Sequence, residues 1–401
     1  MKAWCGISFG DNPLKYTHRL FLNGEEIKDL VIPDGVTRIE SYTFDGYSSL
    51  TSVTIPNTVT RIESNAFRDC SHVEKLYLED GSNTLSLGYN YPKGLFSSCS
   101  LKTLYLGRNL HYETFEFSGF SPFYKQIELE SLIIGDSVTS IGENLFANCT
   151  NLANLYISNS VISIKNKAFE NCSSLTNITI PNTLDNISNS ALKGCINIVD
   201  MKIESGPTEL FLTYDEDYCE TIISTKRYCT LYEDCSLKNL FLGRNLNYHK
   251  NLPRDYYYNY IEIKKYWPKF LNNLTIGCYV KEINYIECGL CNLDSITIGT
   301  IIPPTLYIKY SYNLDCFNDY SYMNTIVKVP EGSLAAYQVA EVWKNFWNIQ
   351  EDAALDIKNV VLDTEDTTAP IYNLQGVQMK ESKEHLPAGI YIQGGKKMIV
   401  R

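Results

Sequence analysis

The amino-acid sequence predicts a solenoid, in which short similar coils stack and each coil adds one strand to a parallel sheet. Three observations predict this fold class. Strand-like segments recur every 23 residues, beginning at positions 27, 50 and 73 and again at 129, 152, 175 and 198. Apolar and polar residues alternate within each segment, as in LTSVTIPNTVTRIESNAFRDC over 50–70. A cysteine recurs at one corner of several coils.

The first element of each coil is a strand with the pattern L-x-x-I-x-I. Successive side chains of a strand point to opposite faces, so the fourth and sixth positions enter the core and the fifth points outward. Pro-Asn or Gly-Asp after the strand supplies turn chemistry. A second apolar pair, Val59 and Ile62 in this coil, and the pair Ala66-Phe67 complete the core. One coil cannot bury its apolar face alone, so we expect the coils to stack.

Five further segments continue the pattern at wider spacing, which brings the predicted total to 12 coils. They begin at positions 101, 237, 271, 293 and 323. The segments LKTLYLGRNL and LKNLFLGRNL are near-copies and indicate duplication of a larger unit. The intervening stretches are predicted as insertions, and long insertions on a rigid scaffold often carry function. These stretches are 80–98, 111–128, 204–234 and 247–270.

The motif L-x-x-I-x-I-P-x-x-V-x-x-I-x-x-x-A-F-x-x-C resembles the BspA-like (Treponema-type) leucine-rich repeats of bacterial surface proteins over residues 27–330. The resemblance implies a right-handed leucine-rich-repeat solenoid, of the α/β class by convention, rich in strands and poor in helices. Its parallel sheet would line the concave face. The resemblance also implies a non-enzymatic exported or cell-surface adhesion protein of Bacteroidetes-type bacteria, such as Bacteroides, that binds host or microbial macromolecules.

Both flanks of the array are similar to segments of the same family. Residues 1–26 resemble the spacer that interrupts such arrays, so this edge is expected to be a truncated spacer in a longer array. Residues 331–354 resemble the segment that closes an array, with Ser333 as the predicted N-cap of a short helix. Trp343, Phe346 and Trp347 are predicted to cover the end of the core.

Residues 355–401 are predicted to form a small C-terminal all-β module. Apolar and polar residues alternate there, between turn signals at Pro387-Ala388-Gly389 and Gly394-Gly395. The module is similar to the C-terminal β-modules of exported Bacteroidetes proteins, some of which direct secretion. The predicted domains are therefore 1–26, 27–330, 331–354 and 355–401.

Seven of the 13 cysteines occupy the same corner position of the coil. These are Cys70, Cys99, Cys149, Cys172, Cys195, Cys235 and Cys291. A nucleophile is needed once and with a base beside it, whereas a repeated column is typical of a small buried packing residue. Side chains in a regular stack point in parallel, which disfavours disulfides between coils. We therefore predict a structural column of mostly reduced thiols.

The remaining sequence predicts no catalytic residue, metal site or cofactor. Cys288 and Cys291 have redox spacing, but Cys291 leads into a strand instead of a helix. The five histidines lack metal-ligand spacing, and phosphate-binding loops and nucleophile elbows are missing. A net charge of −11 without a basic block disfavours nucleic acid. No apolar run in this chain reaches the length of a membrane span, and its N-terminus lacks a signal-peptide pattern, so an extracellular or surface location follows from the resemblance alone.

The outward fifth position of the strands gives the candidate ligand-binding stripe. In chain order it reads Val31, Thr54, Tyr77, Tyr105, Ile133, Tyr156, Thr179, Lys202, Phe241, Thr275 and Thr297. The candidate binding residues are Tyr77, Tyr105, Tyr156, Lys202 and Phe241. Rings give contact area at low entropic cost, although such residues also simply favour strands. The predicted partner is a protein or glycan macromolecule, and the alternatives are a glycan-binding surface protein and a structural spacer.

Overall fold

The structure is a computed structural model, in which the chain forms two compact units: Met1–Leu175 with Thr364–Arg401, and Thr176–Asp363. Each unit contains stacked leucine-rich-repeat coils, as the sequence predicts. The predicted domain division at residues 26, 330 and 354 stays a prediction. The structure describes residues 1–90, 93–113, 121–213, 231, 234–248, 270–284, 292–307, 317–355, 371–373, 379, 386, 389–393 and 396–400.

The first unit begins with the short helix α1 (Lys2–Cys5) and continues in strands. They are β1 (Phe21–Leu22), β2 (Glu25–Glu26), β3 (Asp29–Val31), β4 (Arg38–Ile39), β5 (Ser52–Ile55), β6 (Arg61–Ile62), β7 (Lys75–Leu78), β8 (Leu85–Leu87), β9 (Tyr89–Asn90), β10 (Lys93–Gly94), β11 (Thr103–Leu106), β12 (Leu110–His111), β13 (Ser131–Ile134), β14 (Ser140–Ile141), β15 (Asn154–Ile157) and β16 (Ser163–Ile164).

The strands of the first unit form two parallel sheets along the stack. The six-stranded sheet has the order β3-β5-β7-β11-β13-β15, and a four-stranded sheet has the order β4-β6-β8-β12. Strand β14 pairs in parallel with β16, whereas β1 with β2 and β9 with β10 form antiparallel pairs. The register of the six-stranded sheet has no offset, so Tyr105 pairs with Tyr77 on one side and Ile133 on the other.

The second unit repeats this arrangement with more helix near its end. Its strands are β17 (Asn177–Ile180), β18 (Asn186–Ser188), β19 (Asp200–Ile203), β20 (Leu210–Thr213), β21 (Asn239–Leu242), β22 (Leu246–Tyr248), β23 (Asn273–Ile276), β24 (Glu282–Asn284), β25 (Ser295–Ile298), β26 (Thr305–Tyr307), β27 (Ile326–Pro330) and β28 (Asn348–Asp352). Its helices are α2 (Asp319–Asn324), α3 (Leu334–Val339) and a 3-10 turn at Trp343–Asn345. A seven-stranded parallel sheet has the order β17-β19-β21-β23-β25-β27-β28.

The core follows the predicted alternation and contains a continuous stack of phenylalanine rings in the first unit. The rings belong to Phe44, Phe67, Phe96, Phe123, Phe146 and Phe169, each at most 1% exposed. Successive ring centroids lie 5.3, 5.5, 5.4, 5.7 and 5.6 Å apart. The membership of Phe96 and Phe123 corrects the predicted insertions 80–98 and 111–128, because both rings belong to regular coils. Strands β8 and β20, which pair in parallel with β6 and β18, likewise place parts of the predicted insertions 80–98 and 204–234 in the repeat sheets.

The closing segment of the second unit differs from the prediction in two respects. Ser333 is the N-cap residue of α3 as predicted, but its side chain does not cap the helix. Its hydroxyl donates to the carbonyl of Pro330 at 2.5 Å, and the Glu351 carboxylate accepts the Leu334 amide at 3.0 Å. Trp343 is buried and donates to the carbonyl of Pro304, whereas Trp347 is 79% exposed and covers nothing. Trp347 was therefore wrongly assigned to the buried end of the core.

The predicted C-terminal all-β module is confirmed as a three-stranded antiparallel sheet. Its strands are β29 (Ile371–Asn373), β30 (Gly389–Gln393) and β31 (Lys396–Val400), in the order β29-β30-β31. Ile371, Leu386 and Tyr391 form its own small core, with Met379 packed against them. The module therefore has an apolar core of its own.

Candidate interaction surface

The outward stripe of the first unit is a packed aromatic cluster. Tyr105 and Ile133 are only 6% and 5% exposed, and the half-buried Tyr77 and Tyr156 pack against them. The rings of Tyr77 and Tyr105 stack with centroids 4.5 Å apart. Parallel strands with no register offset bring equivalent side chains to about 4.8 Å, which is the spacing of stacked rings. The accessible parts of the cluster therefore belong mainly to Tyr77 and Tyr156.

A carboxylate holds the central ring of this cluster. The Tyr105 hydroxyl donates to Asp80 Oδ2 at 2.5 Å. Burial and this hydrogen bond raise the pKa of Tyr105 well above its ordinary value, and burial with Asp80 and Glu79 raises the pKa of Tyr77. Gly135 lies close to the pair, and a Cβ there would lie 2.6 Å from both Asp80 Oδ1 and the Tyr105 hydroxyl, so a larger residue would displace these side chains. The stripe thus combines ring faces with negative charge.

The outward stripe of the second unit has different chemistry. Phe241 is 6% exposed, and Lys202 Nζ lies 5.9 Å from its ring centroid. Threonines occupy the stripe on neighbouring strands, and a polar ladder follows the third strand position. In this ladder Ser295 donates to Asn273 at 2.8 Å, Asn273 to Asn239 at 2.8 Å and Asn239 to Asp200 at 2.6 Å. The five predicted binding residues therefore divide into two groups. The three tyrosines lie beside a carboxylate, whereas Lys202 and Phe241 lie beside a polar ladder.

The predicted cysteine column is buried in the described part of the chain. Cys70, Cys149, Cys172 and Cys195 are 0% exposed and Cys99 and Cys235 are 6% and 7% exposed, all as thiols; Cys291 lies outside the described residues. Burial raises the pKa of Cys99, Cys149 and Cys235 to about 12. These thiols stay protonated at neutral pH, which is unsuited to a nucleophile or redox centre.

The column also donates hydrogen bonds, which sequence reasoning missed. The thiols of Cys70, Cys149 and Cys172 donate to carbonyls of Phe44, Phe123 and Phe146, each 26 residues earlier, at 3.1, 3.4 and 3.3 Å. Gln126 occupies the same corner of the coil containing Phe123, and its side-chain amide donates to the Phe96 carbonyl at 2.7 Å. The shared property of the position is therefore a buried donor, and cysteine supplies a weak one on a small apolar side chain.

Two buried arginines come from the duplicated G-R-N-L segments, and the sequence analysis did not predict their structural role. Arg108 is 0% exposed and donates to the carbonyls of Pro56, Asn57 and Val59 at 2.9, 3.0 and 2.7 Å. Arg244 is 1% exposed and donates to the carbonyls of Pro181 and Asn182 at 2.9 and 3.0 Å. Burial lowers the pKa of each arginine to about 10. The duplicated Gly-Arg pair was the signal for this role.

Neither a membrane-spanning helix nor a metal-binding cluster occurs among the described residues. No described helix is long and apolar enough to cross a membrane. No group of three or more histidine, cysteine, aspartate or glutamate side chains there is arranged to hold a metal ion. Two sequence features lie outside the described residues. They are the pair Cys288 and Cys291, and the tyrosine-rich run 256–260 with Trp267 in a predicted insertion.

The coil geometry and its parallel sheets define a leucine-rich-repeat protein. The model of the BspA type leucine rich repeat region matches residues 15–120 and 116–211 in six copies, just under half of the chain. Over these residues the chain matches the BspA-type leucine-rich-repeat family, as the sequence motif predicts. No curated protein matches the chain in sequence.

Several solved structures are similar to the chain. A T. pallidum leucine rich repeat protein is 23% identical, with a TM-score of 0.31 over 46% of this chain and 73% of that chain. A leucine-rich repeat protein from Bacteroides ovatus is 16% identical, with a TM-score of 0.35 over 81% of this chain and 84% of that chain. A leucine rich cell surface protein from Faecalibacterium prausnitzii is 17% identical, with a TM-score of 0.33 over 83% and 90%.

Proposed function

We propose that this chain is a non-enzymatic interaction protein of the bacterial cell surface or exterior, which binds a macromolecular partner through the outward face of its strands. The observation that supports this function is the cluster of Tyr77, Tyr105, Ile133 and Tyr156. The fourth and sixth strand positions already fill the core, so folding does not require large rings at the fifth position. Apolar side chains kept outside the core are typical of interaction surfaces.

The chemistry of the cluster suits the binding of a protein. Tyrosine offers a rigid apolar ring with a polar tip, and aromatic residues are enriched in the centres of interfaces. The Tyr105 hydroxyl is fixed by Asp80, so the central ring is ordered before a partner arrives. Preordered rings lose less conformational entropy on binding. The buried, protonated thiols and the repeated coil geometry support a scaffold role for the rest of the array.

The test is capture of partners from host extracellular matrix and mucus by the full chain. A variant with Tyr77, Tyr105 and Tyr156 changed to serine should lose capture by about tenfold or more, because interface energy concentrates in a few aromatic residues. The matched control changes Tyr16, Tyr279 and Tyr320 to serine, three exposed tyrosines outside the stripe, which keeps the rings of the cluster and should capture normally.

Equal capture by the tyrosine variant and the wild type would contradict the proposed surface, provided that both have the same thermal midpoint. Protease treatment of the extract separates the two partner classes. Capture that survives protease and recurs on a glycan array would show a glycan-binding protein instead. Absence of any capture by the wild-type chain would favour a structural spacer.

A further inference from the structure

The two units contain the same local frame with different side chains at three outward positions. Asn57 and Asn182 donate from their backbone amides to Glu79 and Glu204, at 3.2 and 3.3 Å. Their side-chain amides donate to the carbonyls of Asp80 and Ser205, both at 3.2 Å. Arg108 and Arg244 close the frames at the carbonyls of the preceding prolines, both at 2.9 Å. The frames therefore match at these contacts and differ in one, because Arg108 also donates to the Val59 carbonyl and Arg244 to the Thr208 hydroxyl.

Three positions differ within this frame. We name the first set, Tyr77, Asp80 and Tyr105, the tyrosine cell, and the second set, Lys202, Ser205 and Phe241, the lysine cell. Tyr77 and Lys202 each lie two residues before the frame glutamate, and Tyr105 and Phe241 each lie three residues before the frame arginine. A comparison of the two cells thus compares side chains on an equivalent backbone.

The lysine cell shows what an aromatic ring in this frame accepts. Its own Lys202 places an ammonium group 5.9 Å from the Phe241 centroid, within the range of a cation–π contact. The tyrosine cell has a second ring, Tyr77, at the lysine position, stacked on Tyr105. Its other change replaces Ser205 by the carboxylate of Asp80. The tyrosine cell therefore has more ring surface, gains one negative charge and lacks the internal cation.

The charged groups around the tyrosine cell are mostly negative. The charged residues that raise the pKa of Tyr77 and Tyr105 are Glu79, Asp80 and Asp136, all carboxylates. Lys102, which directly precedes β11, is paired with Glu74 at 2.8 Å, and Arg108 is buried against carbonyls. Lys75 begins the same strand as Tyr77 and offsets one of these three negative charges. Ring faces beside carboxylates attract a cationic group.

We propose that the tyrosine cell binds a lysine or arginine side chain of a protein partner, in place of the lysine that the second unit supplies for itself. This inference rests on the proposed function and adds the chemistry of the partner to it. The ammonium or guanidinium group would lie over the accessible Tyr77 ring and within reach of the carboxylates of Asp80 and Asp136. The partner segment is accordingly basic, matching the net charge of −11 of this chain.

The test measures binding of the full chain to three immobilised peptides of equal length, with alternating glycine–lysine, glycine–glutamate and glycine–serine sequences. Physiological ionic strength shortens the Debye length to about 8 Å and suppresses general attraction. We expect binding to the lysine peptide alone. Asp80→Asn keeps an acceptor for Tyr105 but removes the charge, and should weaken binding by about tenfold.

Matched variants separate the cell from overall charge. Asp69→Asn removes one charge from a side chain that is 69% exposed in the same unit, and should change binding by less than about twofold. Tyr77→Lys copies the lysine cell and should abolish binding, whereas Thr60→Lys adds the same charge at an exposed position of the same unit and should weaken binding only slightly. Equal effects of Asp80→Asn and Asp69→Asn, or of Tyr77→Lys and Thr60→Lys, would overturn the proposal.

The outcomes also distinguish failure of this inference from failure of the proposed function on which it rests. If the lysine peptide binds no better than the glutamate peptide while capture from extracts still depends on the three tyrosines, the partner chemistry is wrong and the interaction surface remains. If the three-tyrosine variant captures as much as the wild type, both fail.

Discussion

Replacement of Arg108 by methionine tests the frame on which the outward surface is built. Its guanidinium group joins one coil to the carbonyls of Pro56, Asn57 and Val59, which lie 49 to 52 residues earlier in the chain. Methionine has comparable length and no donor, so the carbonyls of Asn57 and Val59 lose this partner, whereas the Pro56 carbonyl still accepts the Val59 amide at 3.1 Å. The bonds to Pro56 and Val59 are buried, whereas the bond to Asn57 is half-buried.

The expected magnitude follows from the three lost bonds. The Val59 carbonyl becomes an unsatisfied buried acceptor at a cost of about 1–3 kcal/mol, and the lost bonds to Pro56 and Asn57 add about 0.5–1.5 kcal/mol each, which gives about 2–6 kcal/mol in total. Removing the buried charge offsets part of this loss, because burial already disfavours the guanidinium and lowers its pKa to about 10. We therefore expect a net destabilisation of about 2–4 kcal/mol. Arg108→Lys should be intermediate, since one ammonium group cannot reproduce the planar fork.

Hydrogen exchange of the full chain is the appropriate assay, because repeat arrays need not unfold in one step. Arg108→Met should accelerate exchange in residues 50–110 by about 30-fold or more. Arg244→Met should do the same in residues 176–213 and 234–248, so each variant is the control for the other. Acceleration of both segments by either variant, or a change below about threefold, would refute the assignment of each arginine to its own frame.

Two further predictions concern the cysteine column. Cys172→Ala removes one donor to the Phe146 carbonyl, which still accepts the Cys149 amide at 3.3 Å, and should lower the free energy of unfolding by about 0.5–1.5 kcal/mol. Cys172→Ser should be less affected and partner capture unchanged, and an alanine variant as stable as the wild type would contradict the donor role. The pKa of Cys99 and Cys149 rises from 9.0 to about 12 on folding, so the folded chain retains protons that the unfolded chain releases. The stability that these protonated thiols contribute is present below pH 9 and should be lost between pH 9 and 12, measured as the free energy of equilibrium unfolding. The loss with pH should be less steep in Cys149→Val. Equal slopes in the variant and the wild type would show that the thiols do not cause it.

The elements that follow from a strict period were predictable from the sequence. Alternation fixed which strand residues face the core, and the 23-residue spacing fixed the pairing of equivalent strands. The corner position was also located, but its chemistry was not, because the coil containing Gln126 was interpreted as an insertion. Alignment of S-P-F-Y-K-Q with A-F-x-x-C would have shown a polar donor in the column, and hence the hydrogen bond.

The properties that depend on neighbouring strands were not predictable in the same way. Tyr105 is predicted to point outward and does so, yet its exposure is only 6% because Tyr77 and Ile133 pack on either side. Trp347 follows the buried Phe346 in sequence but is 79% exposed, which composition could not reveal. Exposure at the fifth position depends on the size of three adjacent side chains, so a single-strand pattern predicts direction but not accessibility.

Different positions of each coil have different roles, which explains how the same frame can present two different sets of surface side chains. The fourth and sixth strand positions, the corner donor and the frame arginine satisfy the core and the backbone, and none of them uses the fifth position. Side chains at that position can therefore change from Tyr77 and Tyr105 to Lys202 and Phe241 without disturbing the contacts of Arg108 or Arg244. If that independence holds, exchanging the two sets of side chains should move lysine-peptide binding from the first unit to the second and leave hydrogen exchange of both frames unaltered. A variant that changed both properties together would show that the surface and the frame are coupled.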